Sequence, residues 1–140
     1  MLVTLNEHQA RQILAENCMG RLGCIVDRGP YIVPINYYYE DENIYSHSLP
    51  GTKISALRQN PRSCLQVDEI ITNLKWRSVL AYGTFEEIVG TSQKAEVLNK
   101  LLTRWPMLTP VESQLVVDAS AQQVITYRIR IDRVTGVAEE

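Results

Sequence analysis

Residues 22–48 read LGCIVDRGPYIVPINYYYEDENIYSHS, three apolar runs separated by two turn-rich breaks. Leu22 to Val26 is a short strand, Asp27 to Pro30 is turn-rich, and Tyr31 opens a second apolar stretch, so the pair predicts a β-hairpin. In the second strand Tyr31, Val33, Ile35, Tyr37 and Tyr39 occupy one face and Ile32, Pro34, Asn36 and Tyr38 the other. Both faces are mostly apolar or aromatic, as in a barrel wall that is filled inside and covered outside. Glu40 to Asn43 predicts another turn, and Ile44 to Ser48 a third strand in meander order.

The flanking sequence extends this pattern. Upstream, Thr4 with Glu7 makes a capping box, and Leu5, Ile13, Leu14 and Cys18 recur at roughly helical spacing, which predicts a helix over residues 5–17. Downstream, Pro50 and Gly51 open a short helix with Ile54 and Leu57 on its apolar side, and the Asn60-Pro61 pair ends it. Residues 62–68 form a fourth strand. Residues 76–89 form a long fifth, with a bend expected at Gly83, where a missing side chain permits a bulge. Leu98, Leu101, Leu102 and Trp105 mark an amphipathic helix over 92–104. A proline-containing loop follows, and residues 123–134 close the chain as a strand, with Ile125, Tyr127, Ile129 and Ile131 alternating against Val124, Thr126, Arg128 and Arg130. The expectation is class α+β: six antiparallel strands in a barrel, with three helices outside it.

A chain of 140 residues is one ordinary domain, and 45% hydrophobic with 21% charged residues lies in the globular range. The net charge of −2 without a basic block argues against a nucleic-acid partner. The longest stretch free of Asp, Glu, Lys and Arg, Gly29 to Tyr39, has 11 residues, against the roughly 20 a membrane helix needs, so no bilayer partner is expected. The start MLVTLNEHQAR lacks a basic segment leading into an apolar run, and a cytoplasmic location is expected. Cys18, Cys24 and Cys64 contain no CxxC pair and read as free thiols. His8 and His47, the two histidines, share no ligand-like spacing with a cysteine, so zinc is not expected. No G-x-G-x-x-G or Walker loop is present, which excludes nucleotide binding in those two manners.

Two features break local rules, as functional sites do. Pro34 stands in mid-strand and cannot donate to a ladder, so one side of its strand faces a gap, an edge or a ligand. An edge beside solvent is the plain explanation. The functional one is a planar ligand lying on that edge near Asn36, with Tyr37, Tyr38 and Tyr39 offering aromatic surface. The second feature is Ser46-His47-Ser48-Leu49-Pro50-Gly51-Thr52-Lys53, which leads from a strand into a helix. Free N–H groups and the positive helix end converge there with hydroxyls of Ser46, Ser48 or Thr52 and the point charge of Lys53, a combination that suits a phosphate. Ordinary helix starts use the same residue types.

The run GRLGCIVDRGPYIVPINYYYEDENIYSHSLPGTKISALRQNPRSCLQVDEI, followed by WRSVLAYGTFEEI, resembles the flavin-binding split-barrel proteins related to pyridoxamine phosphate oxidase, and within them the nitroimidazole-reductase-like subgroup. The shared order is a strand, an HS-x-x-G-x-K element, an NPR turn and a WRSV-x-x-x-G strand; it covers residues 20–89, and more weakly ITYRIRIDRVTG. The resemblance implies a six-stranded split barrel that dimerises with itself and binds FMN at the subunit interface. Val33, Pro34, Ile35 and Asn36 would then lie along the flavin ring. Ser46, Thr52 and Lys53 match positions that hold the FMN phosphate or ribityl chain, and Ser78 matches a polar position that reaches the cofactor. His47 matches a histidine beside the flavin and becomes the candidate catalytic residue.

The chain departs from true pyridoxamine phosphate oxidases, which carry a C-terminal Arg-x-His element that grips substrate, because RIRIDRVTGVAEE has no histidine. The implied activity is an FMN-dependent oxidoreductase acting on a small organic acceptor, nitroaromatic- or quinone-like, with NAD(P)H as a candidate donor. The competing reading is a non-catalytic protein that stores or senses a flavin or haem, for which His8 is a poor axial ligand. Residues 105–121, without a motif, are where substrate specificity is expected to be set.

Overall fold

The computed structural model describes residues 1–104 and 124–140. The elements run β1 (Leu2–Thr4), α1 (Glu7–Glu16), β2 (Met19–Val26), β3 (Gly29–Asn36), β4 (Tyr38–Glu40), β5 (Asn43–Ser48), α2 (Thr52–Gln59), β6 (Arg62–Thr72), β7 (Lys75–Glu87), α3 (Thr91–Arg104) and β8 (Ile125–Glu139). All strand pairs are antiparallel, in the order β3-β2-β6-β7-β8-β5-β4, with β1 added on β8. The expected class holds, but the sheet has eight strands rather than six.

The two additional strands have separate physical origins. β1 is only three residues long and pairs Leu2, Val3 and Thr4 with Glu139, Ala138 and Val137, a contact with the far end of the chain that no local pattern announces. The other arises because the expected strand from Tyr31 to Tyr39 breaks at Tyr37. Tyr37 and Tyr38 are both buried, so the period-2 alternation fails there. Tyr37 donates its amide to the Cys18 carbonyl at 2.8 Å and its phenol to the Leu14 carbonyl at 2.8 Å, turning the chain from β3 into β4.

Other boundaries move for equally local reasons. The capping box lies at Asn6 and Gln9 rather than at Thr4 and Glu7, because Thr4 is already paired with Val137 in β1. β6 and β7 extend to a hairpin tip at Thr72 and Lys75, where Ile70, Ile71 and Leu74 are exposed, so backbone pairing outlasts burial. The irregularity expected at Gly83 is present, but the extra residue sits in the partner strand: Tyr82 faces Arg133 and Gly83 faces Ile131, leaving Asp132 unpaired. The expected Asp27–Pro30 and Glu40–Asn43 turns are tight, and in the second both central residues, Asp41 and Glu42, take positive φ. The start of the closing strand at residue 123, and residues 105–121, lie outside the described residues.

Inward side chains of the strands, among them Leu22, Leu65, Val67, Val79, Ile44 and Ile129, fill the barrel. α1 contributes Ala10, Ile13 and Leu14, and α2 contributes Ile54 and Leu57, to the same core. α3 packs elsewhere: Val97 and Leu101 join Tyr38 and Ile88 in a second cluster against which Tyr45 lies. Tyr45 stacks on Tyr38 with centroids 4.9 Å apart.

A Cβ on Gly83 would meet the Arg130 carbonyl oxygen at 2.3 Å, backbone that cannot swing aside. Gly83→Ala is expected to destabilise by about 1–3 kcal/mol in urea unfolding, whereas Gly51→Ala, with nothing within 4 Å, stays within about 0.5 kcal/mol. Equal midpoints for the two variants would contradict the bulge geometry. Burial pushes the phenols of Tyr37 and Tyr38 well above their ordinary range and that of Tyr127 up to about 12. The folded chain keeps these protons while the unfolded chain releases them near pH ~10, so stability falls as pH rises above that value. Urea titrations should show a plateau ending near pH ~10 and then a decline, with Tyr127→Phe removing about one proton, or ~1.4 kcal/mol per pH unit, from the slope. A flat profile to pH ~12 would mean that these phenols are not buried.

Candidate functional site

β3 pairs with β2 and ends the sheet path, so its other side is an edge among the described residues. Pro34, opposite Arg21 in the ladder, is exposed. Ser46, only 1% exposed, donates its hydroxyl to the Asn36 carbonyl at 2.5 Å, which fixes Asn36 with its carbonyl toward the β5 side. By the strand's period of two, the backbone of Pro34 faces the same way, where its missing N–H costs no ladder bond. Val33 is half-buried and Ile35 buried, both turned inward. The edge expected from Pro34 is therefore present, and Ser46 is the residue that ties its end to β5.

β5 sends its side chains two ways. Ile44 and Ser46 are buried opposite Ile129 and Tyr127, while His47 lies on the other face opposite Thr126 and is half-buried. Ser48 donates to the Leu49 carbonyl at 2.8 Å. α2 begins at Thr52 after Gly51, which as a glycine has no side chain to cap the helix start. Thr52 is exposed and lines a hollow of about 280 Å³ with Asp27, Ser55 and Gln59, whereas Lys53 does not line it. Lys53 is half-buried and its charge reaches Cys24 on β2, partly offsetting the burial that pushes the Cys24 thiol up. The structure thus brings Asn36 and Ser46 together between β3 and β5, sets Lys53 within electrostatic reach of Cys24 on β2, and turns His47 to the face of β5 opposite Ser46.

Ser78 belongs to a different part of the surface. It is half-buried on the outer face of β7, with β6 and β2 between it and β3. Gln66, a residue with no signal in the sequence, joins it: its Nε2 donates to Ser78 Oγ at 3.0 Å and to Asp68 Oδ2 at 2.9 Å. Arg21 donates to Gln66 Oε1 at 3.2 Å and to Asp68 Oδ2 at 3.0 Å. Beside this polar island, an open concavity of about 760 Å³ is lined by Ile25, Ile32 and Tyr82 together with Arg62, Thr84 and Asp132. Ile25 and Ile32 there are 50% and 67% exposed. The three cysteines are free, burial pushes each thiol up, and among the described residues no His/Cys/Asp/Glu cluster is placed to hold a metal ion. Among those residues no helix is long and apolar enough to cross a membrane.

The class that the fold defines is an antiparallel split barrel with an edge at β3. Comparison with known proteins narrows it. The family profile described as pyridoxamine 5'-phosphate oxidase matches residues 6–138, and the chain belongs to that family. It is 30% identical over 143 residues to an uncharacterized protein of Rhizobium meliloti strain 1021, covering 96% of this chain and 93% of that one. Among solved structures, an FAD-binding protein of Mesorhizobium loti is similar with a TM-score of 0.83 and 30% identity, over 100% of this chain and 99% of that one. A protein assigned to 5-nitroimidazole antibiotic resistance in Bacteroides thetaiotaomicron shares the fold with a TM-score of 0.78 at 20% identity, over 99% and 87% of the two chains.

Proposed function

We propose that this chain is an FMN-dependent oxidoreductase for a small organic acceptor, nitroaromatic- or quinone-like, and that two copies together hold the cofactor. The observation that supports the reading is the edge of β3 at Pro34 and Asn36, which Ser46 ties to β5, the strand whose passage into α2 carries Lys53 in the first turn of the helix. The residues suit the group. A flavin phosphate needs a cation and N–H donors, which Lys53 and the first turn of α2 provide, with the hydroxyls of Thr52 and Ser48 nearby. Its planar ring needs a flat backbone edge, and the stretch Val33 to Asn36 provides one, held in place by the Ser46 hydrogen bond. FMN carries one- and two-electron chemistry between a donor such as NAD(P)H and an acceptor.

His47 in this reading holds or donates a proton to the acceptor, a task that suits an imidazole near neutral pH. The exposed Ile25 and Ile32 form the face that a second copy covers, and Ser78, three strands along from β3, contributes from the same face. Oxidation of pyridoxamine phosphate is not proposed, because the described part of β8 offers no histidine for the substrate grip.

The visible spectrum of the purified protein, apo and with added FMN, is the first test: a flavin spectrum is expected. A Soret band would favour haem, and a colourless protein that ignores FMN would sink the flavin reading. Lys53→Ala should weaken FMN binding about 10- to 100-fold, the cost of a hydrogen bond to a charged group, measured by fluorescence titration. An unchanged dissociation constant would reject the phosphate assignment. For His47→Ala, FMN affinity should hold while anaerobic reoxidation of reduced flavin by nitroaromatic acceptors slows about 10²-fold. Equal reoxidation rates would remove His47 from the chemistry and favour a storage or sensing role.

A further inference from the structure

We infer that Gln66 is a positioning residue that fixes the direction in which Ser78 offers its hydroxyl proton to the bound flavin. The inference rests on the flavin reading above and concerns residues on the outer face of β2, β6 and β7. The hydrogen bonds there have only one consistent sense. The Arg21 guanidinium is donor-only, so the Gln66 atom 3.2 Å from Nη1 must be the amide oxygen. The Asp68 carboxylate accepts, so the Gln66 atom 2.9 Å from Oδ2 must be the amide nitrogen. Charges on its two sides therefore lock the amide against the flip that would exchange its oxygen and nitrogen.

The locked amide presents Nε2 to Ser78 Oγ at 3.0 Å. Ser78 accepts this bond, so its own proton cannot point back along it and turns toward the surface. A serine hydroxyl otherwise rotates freely and meets a ligand as donor or acceptor alike. Here Gln66 occupies one lone pair and the proton is turned outward, so the favoured partner is an acceptor atom of the flavin, a ring carbonyl oxygen or an unprotonated ring nitrogen. Reduction places negative charge on such atoms, so a fixed donor binds the reduced ring more tightly than the oxidised one. Arg21 and Asp68, 3.0 Å apart as an ion pair, act one step further back by holding Gln66.

Gln66→Glu tests the direction, because a carboxylate accepts from Ser78 and draws its proton away from the ligand. Gln66→Leu separates that effect from the added charge. With FMN as the probe, Gln66→Glu and Ser78→Ala should each raise the dissociation constant about 3- to 10-fold, the worth of one neutral hydrogen bond, and each should move the flavin midpoint potential negative. Gln66→Leu should do so less, since it frees the hydroxyl without reversing it. In the Ser78→Ala background, Gln66→Leu should change neither quantity by more than about twofold in affinity, because the effect passes through Ser78. Thermal unfolding midpoints identify any variant that loses its fold, and the remaining Gln66 variant then carries the comparison. Additive effects, or Gln66 variants that match the wild type while Ser78→Ala weakens binding, would overturn the inference and leave the flavin reading standing. A wild-type chain that fails to bind FMN would overturn both.

Discussion

Tyr37 is fully buried and bonded twice to the loop and helix that precede β2, through its amide to Cys18 and its phenol to Leu14. This anchor decides where β3 must stop. Without it the apolar run from Tyr31 to Tyr39 would continue as one strand on one edge of the sheet. With it, Tyr38 to Glu40 pair with β5 at the opposite end of the sheet path, so the two edges are joined by a single residue. The barrel is closed by the covalent chain at that point and open beside it. Ser46, bonded to Asn36, keeps the opening narrow at its base.

The opening is stabilised from the outside by packing rather than by charge. Tyr38 stacks on Tyr45 and is buried with Val97 and Leu101 of α3. Burial of such side chains contributes roughly 1.5–3 kcal/mol each. The surrounding ion pairs, Lys100 with Glu40 and Arg128 with Glu86, are exposed enough that each contributes about 0–1 kcal/mol. Their value is in aligning α3 and β8 on this side of the barrel. Charge matters more on the other face, where Arg21 and Asp68 orient an uncharged amide and, through it, a hydroxyl.

Most of the fold was legible in the sequence because period-2 and helical patterns are local. Ile125, Tyr127, Ile129 and Ile131, which the alternation set on one face of the closing strand, are all buried. Apart from β4, which the buried Tyr37 and Tyr38 split from β3, the missed stretches share one cause. β1, the tip of the β6–β7 hairpin and the last turns of β8 are strands made by pairing with distant backbone, while Ile70, Ile71 and Val137 stay exposed. A burial pattern cannot announce a strand that buries little. The candidate site divides the same way. Pro34 announced an edge because its missing N–H is a property of the residue. Gln66 announced nothing, since a glutamine in a strand acquires meaning only from what stands across the ladder.

By itself the sequence determined the antiparallel class, the two faces of the closing strand, the break in the ladder at Pro34 and the grouping of hydroxyls with Lys53 at the start of a helix. These follow from side-chain period, turn chemistry and the covalent limits of proline. Only the tertiary structure decided that Ser46 reaches the Asn36 carbonyl, and that Ser78 stands three strands along from β3 and next to Gln66. Those are matters of register and strand order, which arise from pairings between residues far apart in the chain.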